Sequence, residues 1–106
     1  RIREPGGNKN SEKIRKIILD NKSTFNKITD LLLYLSARSE NIDLIKKNMK
    51  NKIILIDRFS DSTMAYQHYG MGINKNLIEK VNNFLCKDIN FITYFINEFK
   101  VTLLKF

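Results

Sequence analysis

The sequence predicts an α/β fold, a parallel sheet with flanking helices, and two features carry that prediction. The first is a change of period at "KIILID", where four successive apolar residues stand between Asn51-Lys52 and an acid. Such a run suits a strand covered on both faces. The second is the order of elements, helix, helix, strand, helix, helix, strand, which is that of parallel crossover units. The 106 residues allow one small domain, 1–106, and are too few for two.

Each element has its own justification. After the Pro5-Gly6-Gly7 turn, Asn8 or Asn10 caps a helix over about 9–21, in which Ile14, Ile17 and Ile18 recur at i, i+3, i+4. "DNKS" breaks that pattern. From Thr24 to about Ser39 the stripe Ile28, Leu31, Leu32, Leu35 is joined by Leu33, Tyr34 and Ala37, so this helix is apolar most of the way round and central. Its continuation or successor, "ENIDLIKKNMK", keeps only Ile42, Ile45 and Met49 apolar on its stripe, the pattern of a surface helix. After "KIILID" a short helix is expected over about Asp61 to His68. Loop glycines follow in "YGMGIN". "NKNLIEKVNNFLCKD" carries Leu77, Ile78, Val81, Phe84 and Leu85 on one stripe, hence a further helix. "INFITYFIN" is β-branched and aromatic, a second strand, and "EFKVTLLKF" reads as the start of another helix.

Two buried parallel strands do not make a stable sheet alone, because their edge backbone groups lack partners. The opening "RIREPGG" also sets an apolar residue against a turn with no element before it. We therefore expect a fragment, with further strands before Arg1 and after Phe106.

Composition excludes more than it selects. A formal charge of +8 points to nucleic acid, an anionic membrane or phosphorylated ligands. The lysines are nevertheless dispersed, as on a solvated face. Lys, Asn and Ile also share A/T-rich codons, so genome composition explains the basicity equally well. Cys86 is the single cysteine and His68 the single histidine, which leaves no disulfide framework, no Cys-x-x-Cys pair and no metal cluster. Cys86 lies in an apolar helical pattern and reads as a buried, inert thiol in a reducing cytoplasmic setting. No segment reaches the roughly 18 apolar residues that a membrane span needs, and the start has no signal-peptide core.

The informative stretch is "DRFSDSTMAYQ", directly after the strand. In open parallel sheets ligands gather beyond the carboxyl ends of strands. An arginine there, Arg58, can clasp phosphate oxygens with its planar fork, while Asp57 orients it or reaches a hydrated cation. From that dipeptide alone, an ordinary Asp-Arg pair closing a strand is the simpler reading. The next turn adds Thr63, Tyr66 and Gln67 at i, i+3, i+4, which places a hydroxyl, a phenol and an amide on one face. Tyr34 and Arg38 form a second such pair, a flat ring and a five-donor guanidinium pointing the same way from the most apolar helix. Singly, Tyr34 is core and Arg38 a surface charge; the coincidence of both pairs favours a small-ligand site.

"REPGG" at 3–7, the helix "SEKIRKIILD", "LLLYLSAR" at 31–38, the strand "KIILID", and "DRFSDSTMAYQ" at 57–67 with "YGMG" behind it resemble bacterial thymidylate kinase, in that order and at the family's spacing. The likeness extends to about Asn97. The family's usual Pro-Asp before the next strand is Asn90-Phe91 here, and Asn8 stands where Thr is usual.

The resemblance implies a partial P-loop kinase fold, without its first strand and its C-terminal strands, that carries the acceptor half of a dTMP kinase. It implies that Arg58 contacts the phosphates between donor and acceptor, with Asp57 orienting it near the magnesium shell, to which Asp57 connects at most through water. It places Tyr34 against thymine, with Arg38 donating to the base and Thr63 reading its edge. It sets Tyr66 beside the sugar's 2′ position, with Gln67 next to it, and the loop of Arg3, Glu4, Pro5 and Gly6 at the acceptor phosphate. ATP and Mg2+ are the implied co-substrate and cofactor, and dTMP and ATP the ligands. No nucleic-acid or membrane partner is implied, and a homodimer is expected for the full-length protein.

Phosphoryl transfer from ATP needs a Gly-rich loop, a lysine and a magnesium-binding hydroxyl. GxxxxGK[ST] does not occur in these residues; "GMGINK" has neither the spacing nor the setting. The resemblance places that loop before Arg1 and the arginine-bearing lid after Phe106, so the chain alone is expected to be inactive. Within the class, the alternative is another nucleoside monophosphate kinase. From other classes come a non-catalytic basic nucleic-acid-binding domain, against which the dispersed charge argues, and a catalytically silent paralogue.

Overall fold

The computed structural model describes residues 2–50, 53–57, 72–96 and 99–105. Its elements, in chain order, are β1 (Ile2–Arg3), α1 (Lys9–Leu19), α2 (Lys27–Asn48), β2 (Ile54–Asp57), α3 (Lys75–Cys86), β3 (Asn90–Ile96) and β4 (Phe99–Lys105). The expected helix at 61–68 lies outside the described residues.

Asn8, rather than Asn10, caps α1. Its side-chain oxygen accepts from the Ser11 amide at 2.7 Å, and the Ser11 hydroxyl accepts from the Asn8 amide at 2.8 Å. This reciprocal box satisfies two otherwise orphaned donors. The helix stops at Leu19, short of the expected residue 21, because Asp20 takes an extended conformation and its carboxylate accepts from the Lys22 amide at 2.9 Å. That local turn competes with continued helix.

Helix α2 begins later than its sequence pattern indicates and takes in the stretch that follows. Asn26 caps it by accepting from the Thr29 amide at 2.8 Å, so the start moves from Thr24 to Lys27. No Pro or Gly interrupts "ARSENIDL", and in a single helix of 22 residues the stretch from Glu40 is the continuation and not a successor.

The α/β architecture is as expected, and the four strands lie in the order β1-β2-β4-β3. β1 and β2 are parallel, with Ile2 opposite Ile56 and Arg3 opposite Asp57. β4 joins the other edge of β2 antiparallel and forms an antiparallel pair with β3. Here the sequence reading differs, because "EFKVTLLKF" is a strand and not the start of a helix. Phe99, Val101 and Leu103 alternate with Lys100 and Thr102, which is the period of a strand. The edge of β2 also offers backbone groups that a strand satisfies and a helix does not.

The core has two apolar parts. Ile2, Ile42, Ile45, Ile54, Ile56, Cys86 and Ile89 pack where the sheet meets the second half of α2 and the end of α3. Leu31, Leu35, Ile73 and Ile78 pack between the first half of α2 and the start of α3. Partly buried Leu85 touches both parts. Along β2 the alternation is that of a strand with one covered face: Ile54 and Ile56 are buried, whereas Leu55 is 43% exposed. The expectation of cover on both faces is therefore not met by the described residues.

Candidate functional site

The register of the parallel pair sets the position of the site. Arg3 and Asp57 stand side by side at the carboxyl ends of β1 and β2. The chain leaves β1 there through Glu4, Pro5 and Gly6, and leaves β2 towards residue 58. This is where ligands gather in open α/β sheets.

Glu4 is buried, at 7% exposure, and so is Arg38 of α2, at 2%. Arg38 Nε donates to both Glu4 carboxylate oxygens, at 3.1 and 3.0 Å, and Nη2 donates to Oε2 at 2.5 Å. From the other side Nη1 donates to Asn82 Oδ1 of α3 at 2.7 Å. Burial pushes the Glu4 carboxyl above the usual carboxylate range, while the charge and hydrogen bonds of Arg38 pull it down. Arg38 is thus no surface charge. It is the centre of a polar seam that crosses the core.

One turn further along α2, Asn41 is fully buried. Its Nδ2 donates to the Gly6 carbonyl at 2.8 Å, and its Oδ1 accepts from the Asn8 amide at 3.2 Å. Asn8 Nδ2 in turn donates to the Glu40 carbonyl at 2.6 Å. The loop after β1 is therefore fastened to α2 at Arg38 and again at Asn41. Gly7 has a reason of its own: its φ is +143°, and a Cβ there would lie 2.5 Å from Asn41 Oδ1. At Gly6, whose carbonyl Asn41 holds, a Cβ would strike the Glu12 carboxylate, which itself accepts from the Gly7 amide at 3.1 Å.

The sequence-predicted site residues fall into three groups. Arg3, Glu4, Pro5, Gly6, Arg38 and the backbone of Asp57 gather at the carboxyl end of β1 and β2, with Arg3 exposed and Pro5 half-buried. Tyr34 is half-buried one helical turn before Arg38, on the same side of α2 by helical geometry. Arg58, Thr63, Tyr66 and Gln67 lie outside the described residues. Among the described residues no group of three or more His, Cys, Asp or Glu could hold a metal ion, and no helix is long and apolar enough to cross a membrane.

Sequence reasoning missed Asn41 and Asn82. A signal existed for both. Asn82 stands at i, i+4, i+8 with Ile78 and Cys86, a polar residue on a buried stripe, and Asn41 adjoins the stripe of Ile42 and Ile45 in the same way. An amide on a stripe of apolar neighbours announces a hydrogen-bond partner elsewhere in the chain.

The chain has relatives among known proteins. A family model described as thymidylate kinase matches residues 1–105. The chain belongs to the thymidylate kinase family. It is 36% identical over 96 residues to the thymidylate kinase of Acholeplasma laidlawii, an alignment that covers 90% of this chain and 48% of that protein. With the thymidylate kinase of Prochlorococcus marinus the identity is 46% over 90 residues, 80% of this chain and 42% of the relative. The crystal structure of thymidylate kinase from Ehrlichia chaffeensis superposes with a TM-score of 0.72 at 37% identity, covering 79% of this chain and 48% of that one. The chain spans about half the length of the thymidylate kinases it matches. What it shares with the solved structure is part of that α/β kinase fold.

Proposed function

We propose that the complete protein carrying this chain transfers the γ-phosphate of ATP to dTMP, giving dTDP for dTTP synthesis, and that this chain supplies the acceptor-nucleotide site. The observation that carries the reading is the placement of Arg38. A residue of the "LLLYLSAR" motif is brought by α2 to the carboxyl end of β1 and β2, beside the Arg3–Gly6 loop and next to the point from which β2 leads to Arg58. Motifs far apart in sequence thus meet at one end of the sheet.

In this reading Arg58 contacts the phosphates between donor and acceptor, and Asp57 orients it. Tyr34 stacks on the base, Arg38 donates to it, and Thr63 reads its edge. Tyr66 favours a deoxyribose, Gln67 lies beside it, and the loop of Arg3, Glu4, Pro5 and Gly6 borders the acceptor phosphate. Mg2+ would be held chiefly by nucleotide phosphates and water, which is its usual preference, and Asp57 would meet it at most through water. The ion would neutralise charge on the transferring group. Catalysis by these residues is positioning and charge neutralisation, without a covalent intermediate.

We further propose that the complete protein pairs with a second copy through its helices. Ile28 and Leu32, at i, i+4 on α2, are 47% and 55% exposed, with Phe25 ahead of them at 41%, an apolar face of the kind an interface covers.

The test is a coupled assay of dTDP formation by the complete protein with dTMP, dUMP, dGMP and the ribose analogue of dTMP. We expect dTMP to be preferred and Arg58→Ala to lower kcat by at least about a hundredfold, the scale of a lost charge-stabilising group, while the fold is retained. A preference for a purine nucleotide would overturn the substrate assignment, and an unchanged kcat would remove Arg58 from the mechanism.

A further inference from the structure

We propose that Asn82 of α3 is a positioning residue for nucleobase recognition: its side-chain oxygen, with Glu4, locks the Arg38 guanidinium in the orientation from which Arg38 meets the base. The statement rests on the reading of Arg38 as the base-contacting group.

The guanidinium is a rigid plane, and it is gripped at two places by groups from different elements. Glu4, directly after β1, takes the edge formed by Nε and Nη2, and Asn82 takes Nη1 at 2.7 Å. With Glu4 alone, the fork could still tilt about the bonds to the carboxylate. A second acceptor on the third nitrogen removes that freedom, and a geometry fixed before the ligand arrives loses less entropy on binding.

The support for Asn82 is itself rigid. The neighbours one turn either side, Ile78 and Cys86, are 1% and 7% exposed and anchor α3 in the two apolar parts of the core. An amide suits the place chemically as well. It accepts a hydrogen bond from Arg38 without adding a negative charge to that of Glu4. α3 contributes no residue to the motifs that mark the site in the sequence, yet it sets the aim of one of them.

The experiment is steady-state kinetics of the complete protein with Asn82→Leu and Asn82→Asp, using dTMP and 5-methyl-dCMP, which carries an amino donor where thymine has a carbonyl acceptor. Asn82→Leu should raise the KM for dTMP about tenfold, the scale of one charge-assisted hydrogen bond lost. The fall in kcat should be smaller than the rise in KM, and the preference for dTMP over 5-methyl-dCMP should shrink in proportion. Asn82→Asp keeps the acceptor and should stay within about threefold of the parent protein. In an Arg38→Met background, Asn82→Leu should have no further effect on KM.

An Asn82→Leu protein that is folded, with unchanged KM and base preference, overturns the proposal, and so does an equal effect with and without Arg38. Should Asn82→Leu not fold, Asn82→Gln, which displaces the amide by one methylene, is held to the same expectation and the same refutation. If Arg38→Met leaves the base preference intact, the reading of Arg38 fails and this inference fails with it. If Arg38→Met abolishes the preference while the Asn82 variants do not weaken it, the positioning role alone is wrong.

Discussion

Helix α2 is buried in two ways along its length. At its ends it packs through Leu31 and Leu35 on one side and Ile42 and Ile45 on the other, all at most 4% exposed, against apolar neighbours whose contacts are non-directional. Its middle turn buries Arg38 and Asn41, at 2% and 0%, and their bonds to Glu4, Asn82 and Gly6 are directional. The apolar ends hold the helix, the first half against α3 and the second half against the sheet. The polar middle fixes its register, because sliding α2 by one residue would strand a buried charge and a buried amide together.

The largest effect should come from taking away the Glu4 carboxylate that faces this charge. Glu4→Ala removes the carboxylate and keeps Arg38 buried, and we expect a loss of about 3–5 kcal/mol in urea unfolding. Glu4→Gln, which keeps an acceptor, should lose clearly less. If Glu4→Ala costs under about 1 kcal/mol, the seam does not order the helix in the way the comparison holds.

Truncating the apolar side should come next. Ile56 is fully buried between Ile2 and the α2 side chains, so Ile56→Ala should cost about 2–4 kcal/mol by lost burial and the cavity left behind. Ile56→Val at the same site should cost about 1 kcal/mol, since most of the volume is kept. A graded response to volume at Ile56, beside a response to acceptor chemistry at Glu4, would sharpen the distinction between the two regions. Equal sensitivity of both sites to volume alone would erase it.

The smallest effect lies where the regions meet. Cys86 belongs to the apolar cluster yet feels Arg38 and Glu4, and burial pushes its thiol up from 9.0 to about 11. An acid raised in the folded state holds its proton more tightly there than in the unfolded chain. Its contribution is therefore complete below about pH 9 and is lost as pH rises towards 11. Between about pH 8 and about pH 10.5 the parent protein should lose about 2 kcal/mol more than Cys86→Ala does, the pH-dependent share of a two-unit shift. Parallel pH profiles for the two proteins would place the thiol outside the apolar cluster energetically.

Much of this could be read in advance because it depends on local rules. The amphipathic periods located α1, α2 and α3 to within a few residues, and the apolar run at 53–56 located β2. Boundaries moved where side chains capped the backbone: Asn26 set back the start of α2, and Asp20 ended α1 early. The motif residues Glu4 and Arg38 were marked as functional while their mutual bond was not, since nothing local links positions on different elements. The strand at 99–105 reads locally as the start of a helix because its partner, the open edge of β2, is distant in sequence.

The sequence by itself determined the helices α1, α2 and α3, the run that forms the central strand and the family whose motifs the chain carries. Periodicity, capping chemistry and motif spacing all act over a few residues. Only the tertiary structure decided that Arg38 is buried, that Glu4 and Asn82 grip it from two sides, and that Asn41 holds the loop at Gly6 and Asn8. Those outcomes follow from pairing a buried charge and a buried amide with acceptors that become neighbours only once β1, α2 and α3 have packed.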